Sequence, residues 1–532
     1  MIDRGKIEST NIGQVKDNLV LAGSNLPKPD AQLFGHAWSD TDLYFAQGRF
    51  SEADELIGGQ DGAYVSVACK NDDVIIGTDN FGFGKLYLYE DDSRWAVGRS
   101  LMGLAEYVRS CGWRLTRNYT QLQNWFLQGN TIIGGQLTSF ETVFNEIRLL
   151  PFDLDLRIRG KEYPRLERRD PKFLDLSYGD SLQYALIEFC SRLRTLLSSD
   201  LPVTSDITGG QDSRFILCGL QRAAGTDIPL GDRVRFKSQR TLREDFAVAS
   251  EIADKFGLKL NRAPKEKFDV DPDLAIEKWV AHDLGVYSPF YPMLQDTQEV
   301  SLNGCVPAFR NSYNADSVRG ELISKRTRWL SDDALGGLSR DAQMSLDMVS
   351  NGGDERINHY TEFRSRIHGG RPSLRGPAMS PLCMNSLYQT ALLLPFNEIN
   401  RSQFYADSMF SMNPRLAELH FDKPNKNWTE AHLSALTRVD FGSEDLVTGK
   451  VSGSLPQPAR SVGSDEVSQI ERLADLYYSS RDRATGLLPE SFVAEGDRLM
   501  RDALKRPKSL APILGFVSMV ILTGRVERLV SN

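Results

Sequence analysis

The sequence predicts a mixed architecture, α/β plus α+β: an antiparallel β-sandwich first, then a parallel-sheet α/β region. Three observations predict it. Between about residues 30 and 165, short strand-like runs alternate with tight polar turns. From about Pro171 the apolar spacing becomes helical, and strands begin to alternate with helices. The chain also has 532 residues, more than one ordinary core holds, so two domains are expected, 1–172 and 173–532.

Taken in order, 63–69 and 73–77 read as strands separated by polar turn residues at 70–73. The runs 85–89 and 95–97 continue the pattern, and a helical stretch around 119–127 interrupts it. Successive short strands with tight turns indicate two stacked antiparallel layers. From 179 to 197 the apolar positions Leu182, Ala185, Leu186, Phe189 and Leu193 recur at helical spacing. A strand at 202–208, a helix at 213–224, a strand at 233–237 and a helix at 242–256 follow, the last stopped by Gly257. That alternation predicts a parallel sheet with helices on both faces. The junction between the two regions falls between Pro171 and Tyr178.

Composition narrows the function classes. Hydrophobic residues make up 41% and charged residues 25%, the balance of a globular protein rather than a disordered one. A formal net charge of -8 leaves no broad basic field for nucleic acid, and the basic cluster at 165–169 reads as solvated loop charge. Six cysteines without C-x-x-C spacing signal neither zinc nor a disulfide framework, and most of them fit buried thiols in a reducing cytosol. The first six residues lack the apolar core of a signal peptide. The most apolar run, 510–522, is shorter than the roughly 20 residues that cross a bilayer. It carries Pro512 and reads as a buried C-terminal helix. A cytoplasmic protein without a membrane partner is the expectation.

The chemistry concentrates at 205–214, where a strand ends and a helix starts. Gly209 and Gly210 permit a turn with φ > 0 and let peptide N–H groups approach a ligand. A helix starting near Ser213 aims its positive end into the same space, and Thr208 and Ser213 add hydroxyls. Such a turn suits a polyphosphate anion at the carboxyl end of a parallel sheet. Asp212 repels phosphate unless a cation lies between them, and Mg²⁺ held by one carboxylate and phosphate oxygens fits. The plainer alternative is a helix capped after a glycine turn.

Thr208, Gly209, Gly210, Gln211, Asp212 and Ser213 resemble the S-G-G-x-D-S signature of the PP-loop ATP pyrophosphatases, with Thr for the first Ser. The resemblance implies that this turn grips the pyrophosphate of ATP and that reaction occurs at the α-phosphorus. The stretch 242–258 is similar to the acidic-start helix after the family's second strand. The resemblance therefore implies adenine contacts at 234–238, with Phe236 and Ser238 as candidates, although the helix alone is a plain amphipathic one. Upstream, Asp61, Gly62 and Tyr64, then Asp79, Gly82, Leu86 and Tyr87, resemble the Ntn-type glutaminase domain of asparagine synthetases. The two resemblances cover about residues 30–455 in that superfamily's order. They imply an N-terminal Ntn-type sandwich and a C-terminal PP-loop synthetase domain.

The departures are as informative. The family's glutaminase uses a cysteine directly after the initiator Met, whereas residue 2 here is Ile2 and the first cysteine is Cys69. The family's substrate loop N-G-E-I-Y-N is also missing. The resemblance then points to members that keep the scaffold without hydrolysing glutamine, such as β-lactam synthetase, carbapenam synthetase and lasso-peptide cyclases. At 300–310, Gly304 stands in the place of a family glycine, but the acidic pair expected near Cys305 to Ala308 is replaced. Arg310 is the substrate-binding or catalytic candidate there, with Asn311 and Asn314, against surface or loop-capping roles. Leu394 to Ile399 stands where relatives have P-F-L-D. Lys450 occupies the place of the family's active-site lysine, where it would offset charge on the α-phosphate. An exposed loop lysine is the alternative, and Lys423 and Lys426 are reserves. The histidines form no zinc-hydrolase spacing.

The expected function is an AMP-forming amide ligase using ATP and Mg²⁺. It would adenylate a small-molecule or peptide carboxylate and transfer it to an amine in natural-product biosynthesis. Closure of a peptide macrolactam, ammonia-dependent asparagine formation and a non-catalytic ATP-binding regulator are the alternatives. A homo-oligomer or a peptide-delivering partner remains open.

Overall fold

The computed structural model describes residues 20–22, 31–50, 58–70, 73–124, 137–159, 163–169, 175–264, 266–283, 295–307, 309, 313, 315–324, 330–349, 354–368, 377–455, 466–505 and 511–530. It combines antiparallel sheets with a four-stranded parallel sheet and many helices.

The larger sheet has seven strands, in the order Arg165–Arg168, Leu154–Arg159, Asp73–Thr78, Gly62–Lys70, Gln32–Ser39, Asp42–Arg49 and Val451–Gly453. The second has four, in the order Val20–Ala22, Trp95–Gly98, Tyr87–Glu90 and Ile147–Leu149, all antiparallel. Side-chain alternation decides what each strand buries. Val65, Val67, Val74, Ile76, Leu156 and Ile158 of the large sheet meet Leu88, Trp95 and Val97 of the small one, with Leu86 just before its strand Tyr87–Glu90, in a single cluster. The basic run expected as a loop is instead the edge strand Arg165–Arg168. The following Arg169 is not solvated charge: it lies 3.7 Å from the Asp155 carboxylate and donates to the Thr78 carbonyl. The helix expected around 119–127 is seen at Tyr119–Asn124, and 125–127 lie outside the described residues.

The parallel sheet runs Val234–Lys237, Val203–Asp206, Val300–Leu302, Ala378–Met379. The long helix Tyr178–Ser198 precedes it, with Leu182, Ala185, Leu186, Phe189 and Leu193 buried as their spacing requires. Helix Gln211–Ala224 follows the first strand, and Arg243–Lys255 follows the second. Gly257 ends the latter with φ +64, a backbone state natural to glycine after a helix. Phe189, Phe215, Phe236, Phe404 and Phe410 share one core around this sheet.

Packing does not follow chain order. Val451–Gly453 pairs in parallel with Asp42–Arg49, so a segment from late in the chain completes the first sheet. The C-terminal helices Glu466–Ala484, Glu490–Lys505 and Ala511–Val530 also turn back. Tyr477, Met500 and Val520 share a cluster with Tyr87, Tyr89 and Leu104 of the first region. The apolar 510–522 run lies mostly in that last helix, whose Val517–Leu522 portion is buried. Pro512 lies in its first turn, where it does not break it. Residues 171–174 of the expected junction lie outside the described residues. Among the described residues no helix is long and apolar enough to cross a membrane.

Candidate functional site

The first parallel strand, Val203–Asp206, has the second strand on one side and the third on the other. The connection to the second strand and the later one to the third therefore pass to opposite sides of it, and in open parallel sheets the carboxyl end of such a strand is where ligands bind. Residues 207–213 lie there. The third strand, Val300–Leu302, delivers 303–307 to the same edge, and a β-carbon built on Gly304 would sit 2.9 Å from Cβ of Asp212. Gly304 thus lets the two loops touch.

The turn is held by its own polar groups. The N–H of Thr208 donates to Ser213 Oγ (3.2 Å), and the two hydroxyls are 2.7 Å apart. The N–H of Gly210 donates to Thr208 Oγ1 (3.1 Å). The N–H of Gly209 donates to Asp245 Oδ1 (2.7 Å), a carboxylate from the first turn of helix Arg243–Lys255. Neither Gly209 nor Gly210 has a positive φ, contrary to the sequence expectation. Gly210 has φ -86 and is the residue before the helix, which begins at Gln211, two residues earlier than expected. Gly209 is needed for closeness instead, since a β-carbon there would collide with Cβ of Asp422.

Asp422 is fixed to the turn, its N–H donating to the Gly209 carbonyl (3.1 Å). Lys426 Nζ caps the Asp422 carboxylate at 2.8 and 3.0 Å. Arg214 sets this segment in place: its guanidinium stacks on Phe421 at 4.0 Å and donates to the carbonyls of Leu419 and His420. Burial pushes the Asp245 carboxyl above its ordinary pKa, partly offset by the Gly209 N–H, with the charge of Asp422 adding to the rise. On the other side, Tyr405 donates its hydroxyl to Asp212 Oδ1 (2.5 Å). Asp245 and Tyr405 were not singled out in the sequence. Asp245 sat inside a helix that read as packing, and Tyr405 lies 193 residues from its partner.

The other candidates distribute as follows. Phe236 is wholly buried in its strand and contributes apolar core. Ser238, at the same sheet edge, donates its N–H to Asn261 Oδ1 (2.9 Å). Its buried hydroxyl has no hydrogen-bond partner among the described residues. In place of an acidic pair, Asn303 accepts from the Cys305 N–H (2.8 Å) and the Ser380 hydroxyl (3.0 Å). Arg310, Asn311 and Asn314 lie outside the described residues. Lys450 is exposed and is not brought to the turn. Its carbonyl accepts from the Leu43 N–H, and Gly449 N–H donates to Thr195 near the end of helix Tyr178–Ser198. That helix end lies beside Arg233, at the amino edge of the parallel sheet, whereas the turn leaves the carboxyl edge. Of the two reserve lysines, Lys423 is exposed and Lys426 lies against the turn through Asp422.

No cluster of three or more His, Cys, Asp or Glu suited to a metal occurs among the described residues. A single carboxylate, Asp212 in the first turn of helix Gln211–Ala224, would suit a magnesium ion that takes its remaining ligands from water and phosphate, not an all-protein cage. In the antiparallel region, Asp79 is fully buried and accepts from the N–H groups of Tyr64, Phe81, Phe83 and Gly84. It shapes the 79–87 turn. Ile2 lies outside the described residues. No family model matches the chain, and no curated protein matches it.

Proposed function

We propose that this chain is an ATP-dependent, AMP-forming amide ligase of the asparagine synthetase type, with a PP-loop synthetase region and an Ntn-type layer that does not hydrolyse glutamine. One observation carries the reading: the Thr208–Ser213 turn lies at the carboxyl end of the strand where the parallel sheet reverses its winding, backed by Gly304. The unpartnered Ser238 hydroxyl at the adjacent strand end supports a nucleoside beside it.

In this reading the phosphate chain of ATP lies on the amides of Gly209 and Gly210 and on the hydroxyls of Thr208 and Ser213, replacing the bonds these groups make within the turn and to Asp245. The N-terminus of helix Gln211–Ala224 favours the negative charge. Asp212, steadied by Tyr405, would hold Mg²⁺, which would supply charge neutralisation at the phosphate oxygens. A substrate carboxylate attacks the α-phosphorus, pyrophosphate leaves, and an amine displaces AMP from the acyl group. The chain contributes chiefly position and charge compensation. Lys426 is the nearer cation for that purpose and Lys450 the farther one.

The test is carboxylate-dependent exchange of labelled pyrophosphate into ATP. Exchange with a carboxylate panel supports the ligase. The uncharged Asn303–Cys305 segment favours a second reading, a nucleotide-binding regulator without chemistry. ATP binding with no exchange for any carboxylate would select it.

A further inference from the structure

The carboxylate of Asp245 takes the Gly209 amide that the proposed nucleotide site would offer to a phosphate oxygen. It lies 2.7 Å from the Gly209 nitrogen and reaches that N–H from a different helix, 36 residues on. One N–H directed at one carboxylate oxygen does not serve a phosphate oxygen equally well at the same time. The position is also crowded with like charge. Asp422 flanks the same glycine, Asp206 adds to the field, and the Lys426 ammonium lies on Asp422. Lys237 lies 3.7 Å from Asp206. Two partly exposed carboxylates beside one amide make a contact that an incoming polyphosphate, carrying its own magnesium, is able to replace. Asp245 is half-buried in the first turn of its helix, so withdrawing its side chain toward solvent opens no core.

We infer that Asp245 is an internal competitor for phosphate, holding the Gly209 amide and released when the phosphate chain seats. The inference rests on the nucleotide reading of the turn and adds a competitor built into the fold. Its consequence is quantitative. Apparent affinity equals intrinsic affinity multiplied by the fraction of molecules with the amide open. If about nine molecules in ten hold Asp245 on Gly209, removing the carboxylate tightens nucleotide binding about tenfold.

The experiment is calorimetric titration of the full chain with magnesium ATP and with inorganic tripolyphosphate, for the wild type, Asp245→Ala and Asp245→Asn. Thermal unfolding checks that each variant is folded, and the near-isosteric Asn variant stands in if Ala fails that check. Tighter binding of both probes by the variants is the expected result. Equal or weaker binding, with ATP still bound by the wild type, overturns the inference and makes Asp245 a brace of the loop. Binding of neither probe by any form removes the nucleotide reading itself, and the inference with it.

Discussion

The two glycines of the turn do different work, and single substitutions separate them. Gly209 touches Asp422 so closely that a methyl group forces the segment apart, and Gly209→Ala is expected to cost about 1–3 kcal/mol in chemical denaturation. At Gly210 a β-carbon would meet only Thr208 Oγ1, at 3.3 Å, on an ordinary backbone. Gly210→Ala is expected to change stability by less than about 1 kcal/mol. Asp212→Asn should leave the unfolding midpoint nearly unchanged, because the residue is only partly buried. In the proposed ligase it should lower pyrophosphate exchange by about 100-fold or more. Full exchange activity in that variant would remove Asp212 from the metal role. The identities of the turn residues were legible because they are contiguous. Asp245 and Tyr405 were not, since their contacts span 36 and 193 residues and leave no local pattern.

Among the elements, helices and strands with a clear period matched their sequence signals to within a few residues. Tyr178–Ser198 and Gln211–Ala224 both carry regular apolar faces into one core. The three-residue strand Val451–Gly453 was missed, because so short a run has no period and its partner strand lies some four hundred residues earlier. The basic strand Arg165–Arg168 was read as loop because its exposed charges mask an edge position, where charge is common. The segment carrying Asp422 and Lys426 depends on the loop helix through Arg214. A lysine cannot both stack flat on Phe421 and serve two carbonyls, so Arg214→Lys should cost about 2 kcal/mol in urea denaturation. It should also weaken ATP binding if Lys426 faces the phosphates. An unchanged stability would show that this packing is incidental.

At the scale of the molecule, the two regions meet through buried charge. Arg366 pairs with Glu362 and donates to the Gly82 carbonyl (2.9 Å), joining a helical segment to the turn shaped by Asp79. Burial raises the Glu362 carboxyl to about 7, opposed by Arg366. The folded protein therefore keeps that proton to higher pH than the unfolded chain does. The associated stability is fully present below the ordinary carboxylate range and is lost as pH rises through about 7. Compared with Glu362→Gln, the wild type should lose up to about 3 kcal/mol between pH 5 and pH 8. Parallel pH profiles for the two proteins would contradict this. The C-terminal helices supply Tyr477, Met500 and Val520 to the core around Tyr87 and Leu104, which period and composition did not reveal. A deletion of 511–532 should expose that core and bind a hydrophobic dye, although it lies far along the chain from the turn.

The proposed function requires the turn from Thr208 to Ser213 to seat the phosphates of ATP. A crystal structure of the full chain with magnesium and a non-hydrolysable ATP analogue tests it most directly. Phosphate oxygens are expected within hydrogen-bond distance of the Gly209 and Gly210 nitrogens and the Ser213 hydroxyl, with Asp245 moved off Gly209. Nucleotide bound elsewhere, with Asp245 still on the Gly209 amide, would contradict it.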